Sequence, residues 1–376
     1  MTTKNDQQLG DDIMEEELER LIQMIRPLDR EAMTQAEERQ ARLAKPPGSL
    51  GKLEDISIRL AGITGQVRNQ IARKRILVLC ADNGVVDEGV SSAPQSVTAA
   101  QAVNMTRSLT GMSSIAKSFG CEVVVADLGI VCPYHCSQIV NLRVAPGTRN
   151  FAREPAMTRE ETVRAILAGA RLAAEASADG VDVIGVGEMG IGNTTTSSAV
   201  LAALTGAGAE SVTGRGGGIT DVSFARKKQV IDGAIALHRP DPGDPVDVLS
   251  KVGGLDLAAM CGAFLGAAAH HLPAVIDGFI SVVAALCAVR LCPEAQGYLF
   301  ASHASYEKGY ALAIGELGLD PWLMLGMRLG EGSGCPIAFE VMYAACAAMN
   351  GMATFEQASI NDGYLDEIRE KDSFSV

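Results

Sequence analysis

Aromatic residues are scarce in this chain: Phe, Tyr and Trp together make up 4% of its 376 residues, with one tryptophan. A β-sandwich core built on large rings is therefore a poor fit. Positive charge is also in short supply. Lys and Arg number 32 against 45 Asp and Glu, a formal net charge of −13, so a polyanion would be repelled and nucleic acid is not an expected partner. Apolar runs are broken by charge or glycine before about 18 residues, too short to span a bilayer. The N-terminal MTTKNDQQLGDDIMEEELER has no apolar core that could act as a signal peptide. Cysteines number nine, odd and dispersed, and most sit in apolar runs such as Ile76-Leu77-Val78-Leu79-Cys80. They suit small buried hydrophobes in a reducing compartment, not a disulfide framework. A cytoplasmic protein without a membrane segment is expected.

Small and aliphatic residues are what the chain has in quantity: 47% is apolar and 40 residues are glycine. That mixture favours helices packed closely on a sheet. At roughly 150 residues per domain the length allows two to three units. From residue 75, short β-branched runs alternate with longer Ala-rich segments, and 75–80, 122–127, 181–186, 273–277 and 297–302 are the strand candidates. Such alternation predicts a parallel α/β sheet. Thr158 and Glu161 form a capping-box pattern ahead of Val163, Ile166, Leu167 and Ala170, a stripe suited to a sheet face. Pro336 opens a helix that the apolar pattern carries to Ala348. The first forty residues are charge-rich, with helical spacing at Leu18, Leu21, Ile22 and Ile25 ending before Pro27, and read as an exposed arm or helical lobe. From Phe355 the chain turns polar and acidic again, as a surface tail does.

An apolar strand runs into Gly185-x-Gly187-x-x-Gly190, with Asn193 placed to cap a following helix. Read mechanically, this is a dinucleotide fingerprint, and an NAD-dependent oxidoreductase is one reading of it. Glu188 argues against that reading, because a carboxylate inside the loop repels a pyrophosphate. The acidic ribose partner that should follow the second strand is also missing. Two more glycine clusters follow, Gly214-Arg215-Gly216-Gly217-Gly218 and Leu329-Gly330-Glu331-Gly332-Ser333-Gly334. Any single loop Glu is most often solvated. Two of them among glycines, at the carboxyl ends of parallel strands, lie where open sheets place ligands. Burial can lift such a carboxylate toward neutrality, where it serves as a general base.

Other motifs carry less. Gly48-Ser49-Leu50-Gly51-Lys52 is a P-loop fragment with short spacing and Leu53 in place of the Mg²⁺-binding hydroxyl. No adjacent acid pair leads into a Thr/Gly-rich loop, which argues against a magnesium-pyrophosphate substrate. Cys132, His135 and Cys136 are crowded but lack a second matching pair, so no metal is expected. His270, His271 and His303 read as structural or helix-terminal residues. Lys227, after the second glycine cluster, is either a solvated helix residue or a partner for phosphate or carboxylate.

Four segments in order, spread across residues 20–355, closely resemble the nicotinate-nucleotide:dimethylbenzimidazole phosphoribosyltransferase family. They are Leu43-Ala44-Lys45-Pro46-Pro47-Gly48-Ser49-Leu50-Gly51-Lys52-Leu53-Glu54, Gly187-Glu188-Met189-Gly190-Ile191-Gly192-Asn193-Thr194-Thr195, Asp277-Gly278-Phe279 and Leu329-Gly330-Glu331-Gly332. The resemblance implies transfer of phosphoribose from nicotinate mononucleotide to dimethylbenzimidazole, giving α-ribazole phosphate and nicotinate for the lower ligand of cobalamin. It implies a homodimer, no cofactor and no metal. It also implies a Rossmann-like, doubly wound parallel sheet flanked by helices, with a smaller helical lobe made from both chain ends. On that pattern residues 1–70 are an arm and part of the lobe, 71–335 the large nucleotide- and base-binding domain, and 336–376 the last helix and acidic tail.

Carried over by matching position, the resemblance makes Glu331 the base that takes the benzimidazole proton and Glu188 the second active-site carboxylate. Gly190, Gly192, Asn193, Thr194, Lys227, Gly278 and Ser305 would hold the nucleotide, and Ser92, Gln101, Met189 and Leu329 the acceptor base. The chain has Ala93 where the family often has an aromatic residue, and Gly218-Ile219-Thr220-Asp221 where paired acids are common. Loss of a stacking ring removes about 1 kcal/mol of contact with a flat heterocycle, which leaves another benzimidazole, a purine or a phenol open as acceptor. A catalytically silent homologue that only binds a nucleobase or its riboside is the remaining alternative.

Overall fold

Every β-branched run singled out above contains a strand. In the computed structural model, which describes residues 4–366, the strands are β1 Lys74–Ala81, β2 Glu122–Gly129, β3 Val140–Asn141, β4 Val183–Met189, β5 Ala274–Ile276 and β6 Leu299–Ala301. All neighbours pair in parallel, in the order β3-β2-β1-β4-β5-β6. This is the doubly wound order, whose topological switch lies between β1 and β4. The α/β parallel sheet expected from the sequence is thus present.

Three boundaries differ from expectation, each for a pairing reason. β4 runs three residues past 186 because β1 stays beside it, matching Leu79 to Glu188 and Cys80 to Met189. Glu188 therefore belongs to a strand, not to a glycine loop. β5 and β6 are shorter than the apolar runs that contain them, because their ladders cover three residue pairs. β3 was not foreseen; two residues beside Ala126 and Asp127 leave no periodicity to read.

Helix Leu255–Ala269 is buried along its whole length, and helix Arg159–Ala178 packs against it. Their axes come close because the contact is lined by small residues. A Cβ on Gly169 would overlap the Ala259 carbonyl, and one on Gly262 the Ile166 carbonyl. The glycine and alanine content has this use. The Thr158 capping box is formed in both directions, and the helix containing Pro336 spans Cys335–Gly351.

The chain divides into two compact units. The larger combines the chain up to Pro27 with Arg73–Ala338, and the smaller combines Leu28–Ala72 with the chain from Phe339 onward. Within the larger unit, the first helix, Lys4–Met24, is not simply exposed, since Leu18 is buried, as is Ile25 just past its end. Within the smaller unit, Phe355 and Leu365 are buried too, so the first part of the expected acidic tail is anchored by two apolar side chains. The rest of that tail, 367–376, lies outside the described residues. Among the described residues, no helix is long and apolar enough to cross a membrane.

Candidate active site

The carboxyl ends of β4, β5 and β6 open into one cleft, joined by glycine residues 216–217 and by 328–331. It adjoins the β1/β4 switch, the usual ligand position in such sheets. Glu188, Met189, Gly190, Asn193 and Thr194 line it from the β4 side, Gly278 and Ser305 from β5 and β6. Glu331 and Leu329 come from the last glycine segment and Gln101 from helix Ser96–Thr106. Gly192, Lys227 and Ser92 are off its wall. Gly192 is the N-cap of helix Asn193–Thr205 at φ 97°, and a Cβ there would meet Val86 Cγ1 at 2.8 Å. Ser92 is exposed to solvent. Lys227 stands one layer behind, with Nζ 2.8 Å from Thr194 Oγ1.

Glu188 is 6% exposed. Asn193, expected to cap the helix, instead donates its side-chain amide to Glu188 Oε2. The Glu331 amide donates to the other oxygen, Oε1, at 3.4 Å. Burial pushes the Glu188 carboxyl up to about 8, and the charges of Asp256, Asp277 and Glu331 add to the effect. Burial thus favours its protonated form near neutral pH.

Glu331 has φ 63°, between Gly330 at 80° and Gly332 at 87°. A residue with a Cβ in the left-handed region costs about 1–2 kcal/mol, so surrounding bonds must hold the turn. Asp277 supplies two of them: Oδ2 accepts from the Gly332 amide at 3.0 Å and Oδ1 from the Gly334 amide at 2.7 Å. The Glu331 side chain reaches the start of helix Gly111–Ser118, where the Met112 amide donates to Oε2 at 3.4 Å. Burial raises its pKa and the Asp277 charge adds, while Met112 and the Thr110 hydroxyl pull it back. Two carboxyls on separate elements thus meet in one cleft.

Sequence reasoning missed several neighbours. Asp277 was legible as the first residue of the family segment Asp277-Gly278-Phe279, with no role attached. His303, also on the cleft wall, looked like a strand-end residue. Asp256 is fully buried and is pushed up to about 7 by that burial; by position it reads as an ordinary acid in a first helical turn. Arg328, on the wall as well, donates to the Gly216 carbonyl at 3.2 Å and ties two glycine segments together. Beside it, Lys227 donates to Thr194 and, at 3.2 Å, to the Gly214 carbonyl. Burial lowers this ammonium to about 8, with Glu307 partly restoring it.

A family model described as phosphoribosyltransferase matches residues 25–360. A nicotinate-nucleotide–dimethylbenzimidazole phosphoribosyltransferase of Clostridium perfringens is 49% identical over 359 residues, covering 96% of this chain and 99% of that protein. One from Clostridium tetani is 45% identical over 94% of this chain and 98% of its own length. The chain belongs to this phosphoribosyltransferase family. The crystal structure of CobT from Thermus thermophilus superposes with a TM-score of 0.85 at 40% identity, covering 89% of this chain and 100% of that one.

Within a phosphoribosyltransferase the Gly185-x-Gly187-x-x-Gly190 motif has a different purpose from a dinucleotide fingerprint. A Cβ on Gly187 would lie 2.5 Å from the Glu331 carbonyl oxygen and 2.5 Å from the Gly332 nitrogen. On Gly190 it would lie 2.6 Å from Asp256 Oδ2. The glycines let the Glu331 turn and a buried acid approach the strand, and the oxidoreductase reading has no support. Gly187→Ala should therefore displace the turn, lowering kcat by about 10²-fold with about 1–3 kcal/mol of overpacking. Turnover measured beside thermal unfolding checks this; full activity would show that the turn tolerates the methyl group.

The family segment 43–54 lies in the smaller unit. There Lys45 and Glu54 form a buried ion pair at 2.8 Å, and Glu54 also accepts from the Leu50 amide at 2.9 Å. Its P-loop-like glycines turn the chain around that pair. Among the described residues, no group of three or more His, Cys, Asp or Glu is arranged to hold a metal ion.

Proposed function

We propose that this phosphoribosyltransferase moves phosphoribose from nicotinate mononucleotide to dimethylbenzimidazole, forming α-ribazole 5′-phosphate and nicotinate. The observation that carries the reading is Glu331, a buried residue in a left-handed turn whose backbone amide donates to a second carboxyl lining the same cleft, Glu188. The names of the relatives fit it.

Glu331 takes the proton from one benzimidazole nitrogen while the other nitrogen attacks the anomeric carbon. The bond from that carbon to the pyridinium nitrogen breaks, and its electron pair neutralises the ring as nicotinate leaves. Because the leaving group already carries positive charge, departure needs no acid. Attack from the face opposite the leaving base turns a β linkage into an α one. The anomeric centre becomes oxocarbenium-like, and nearby carboxylates stabilise it. A cationic nicotinate ring in the cleft also favours ionisation of Glu188, whose pKa burial holds high. The phosphate goes to the Thr194 and Gly216 side, where Lys227 and Arg328 supply positive charge. Gly190, Asn193, Gly278 and Ser305 complete the nucleotide wall, with Gly192 turning the chain behind it; Met189, Leu329 and Gln101 contact the acceptor.

A homodimer is part of the same reading, supported by the exposed apolar side chains of Met324, Leu325 and Leu329 at and next to the cleft wall. An acceptor panel tests the reaction: the purified protein is given nicotinate mononucleotide with dimethylbenzimidazole, other benzimidazoles, adenine or a phenol, and α-ribotides are identified by mass. Dimethylbenzimidazole should give the highest kcat/KM. Binding without product for every acceptor would instead establish a silent nucleobase binder.

A further inference from the structure

His303 is an anomaly in the larger unit. It is 1% exposed, and neither ring nitrogen makes a hydrogen bond of good geometry, although Nε2 lies within ion-pair reach of Asp277. Buried polar atoms without partners are uncommon and call for an explanation. Both nitrogens are sealed from solvent although the residue is part of the cleft wall. Its position is fixed on two sides: a Cβ on Gly334 would collide with Cδ2, and one on Gly278 would sit 3.6 Å from Nε2. Nε2 faces Asp277 Oδ1 at 3.5 Å, the oxygen that accepts from the Gly334 amide.

We propose that His303 is a positioning residue for Glu331: it holds the Asp277 carboxylate in place, so that both oxygens stay on the amides of Gly332 and Gly334. This rests on the reading of Glu331 as the base. Asp277 is buried, and the titratable groups that feel its charge are Glu331, Glu188, Tyr310, Cys335 and His303 itself. Of these only the imidazole gains a stabilising cation by protonation. Burial alone would favour the neutral ring, but Asp277 more than offsets this and raises the His303 pKa. Without that counter-charge, Asp277 would be a buried anion beside two other acids. Its two oxygens would then be held on the Gly332 and Gly334 amides without a partner on the imidazole side. The left-handed turn would lose that support.

His303→Gln tests the idea. It should lower kcat by about 10- to 100-fold, as for a misplaced catalytic group, with KM for nicotinate mononucleotide within about threefold, since the phosphate side is untouched. Hydrogen exchange should quicken at the Gly332 and Gly334 amides while β1 and β4 amides keep their protection, which a general loss of stability would not produce. A folded variant with unchanged kcat and unchanged exchange at those two amides would overturn the proposal. Should His303→Gln fail to fold, the imidazole NMR titration is compared between wild type and Asp277→Asn. A fall in the His303 pKa in the variant supports the pair, and an unchanged value refutes it. Neither exchange nor titration depends on turnover, so failure of the reaction itself would show separately, as an inactive wild type.

Discussion

Glu331→Gln is expected to lower kcat by about 10²- to 10⁴-fold, the range a positioned general base supplies. The replacement keeps the side-chain shape and an oxygen able to accept from the Met112 amide at the N-terminus of helix Gly111–Ser118. The turn at φ 63° and its bonds to Asp277 involve only the backbone at this position. What disappears is the basic oxygen. KM for nicotinate mononucleotide should therefore change little, because Lys227 and Thr194 remain in place. Nicotinate release under saturating substrates gives the number; turnover within a few-fold of wild type would remove Glu331 from the role. Glu188→Gln is the informative contrast. Burial, Asp256 and Asp277 favour the protonated form of Glu188 near pH 7, so an amide resembles that form. It should cost about tenfold, the part owed to ionisation when the cationic ring binds. If Glu188→Gln proved as damaging as Glu331→Gln, the two roles would have to be exchanged.

How much of this was legible beforehand depended on the range of the interaction. The run 75–80 is buried on both faces of a parallel sheet, and 122–127 from Val125 onward, so their β-branched character appears directly in the sequence. The capping box at Thr158 and Glu161 is local and was equally legible. Glu331 and Glu188 stood out because acids among glycines are unusual, and the family motifs supplied their roles. Their environment was not legible. That Glu188 is on β4 depends on register with Leu79, more than a hundred positions away. The purpose of Gly187 depends on the Glu331 carbonyl, and Asn193 looked like a helix cap until Glu188 was found to accept its amide. Asp277 and His303 are adjacent only because β5 and β6 pair. Each of these is a long-range contact without a periodic signature, which one chain read alone does not disclose.

Lys227→Met should raise KM for nicotinate mononucleotide by about 10²- to 10³-fold, the scale of losing one partner of a buried charge contact. The ammonium is 1% exposed, and the partners it donates to, Thr194 Oγ1 and the Gly214 carbonyl, are neutral. On the proposed reading its charge serves the nucleotide phosphate, with Glu307 the carboxylate that already acts on it. Holding a lysine this way disfavours its charged form, and burial brings the pKa down to about 8. The sign of the pH effect follows. Lysine binds phosphate only while protonated, so in wild type KM rises as pH climbs through about 8, well below the range for an exposed lysine of about 10.4. Methionine has nothing to titrate, and KM for the variant should stay flat and high over the same interval. Because Glu188 ionises in that range too, the quantity to read is the difference between the two KM profiles. The fold should survive, since replacing a buried charge with an apolar side chain of similar length removes a desolvation cost. An unchanged Tm with a large, pH-independent KM would place the phosphate on Lys227. A wild-type KM profile retained in Lys227→Met would move it elsewhere, with Arg328 the next cation to replace.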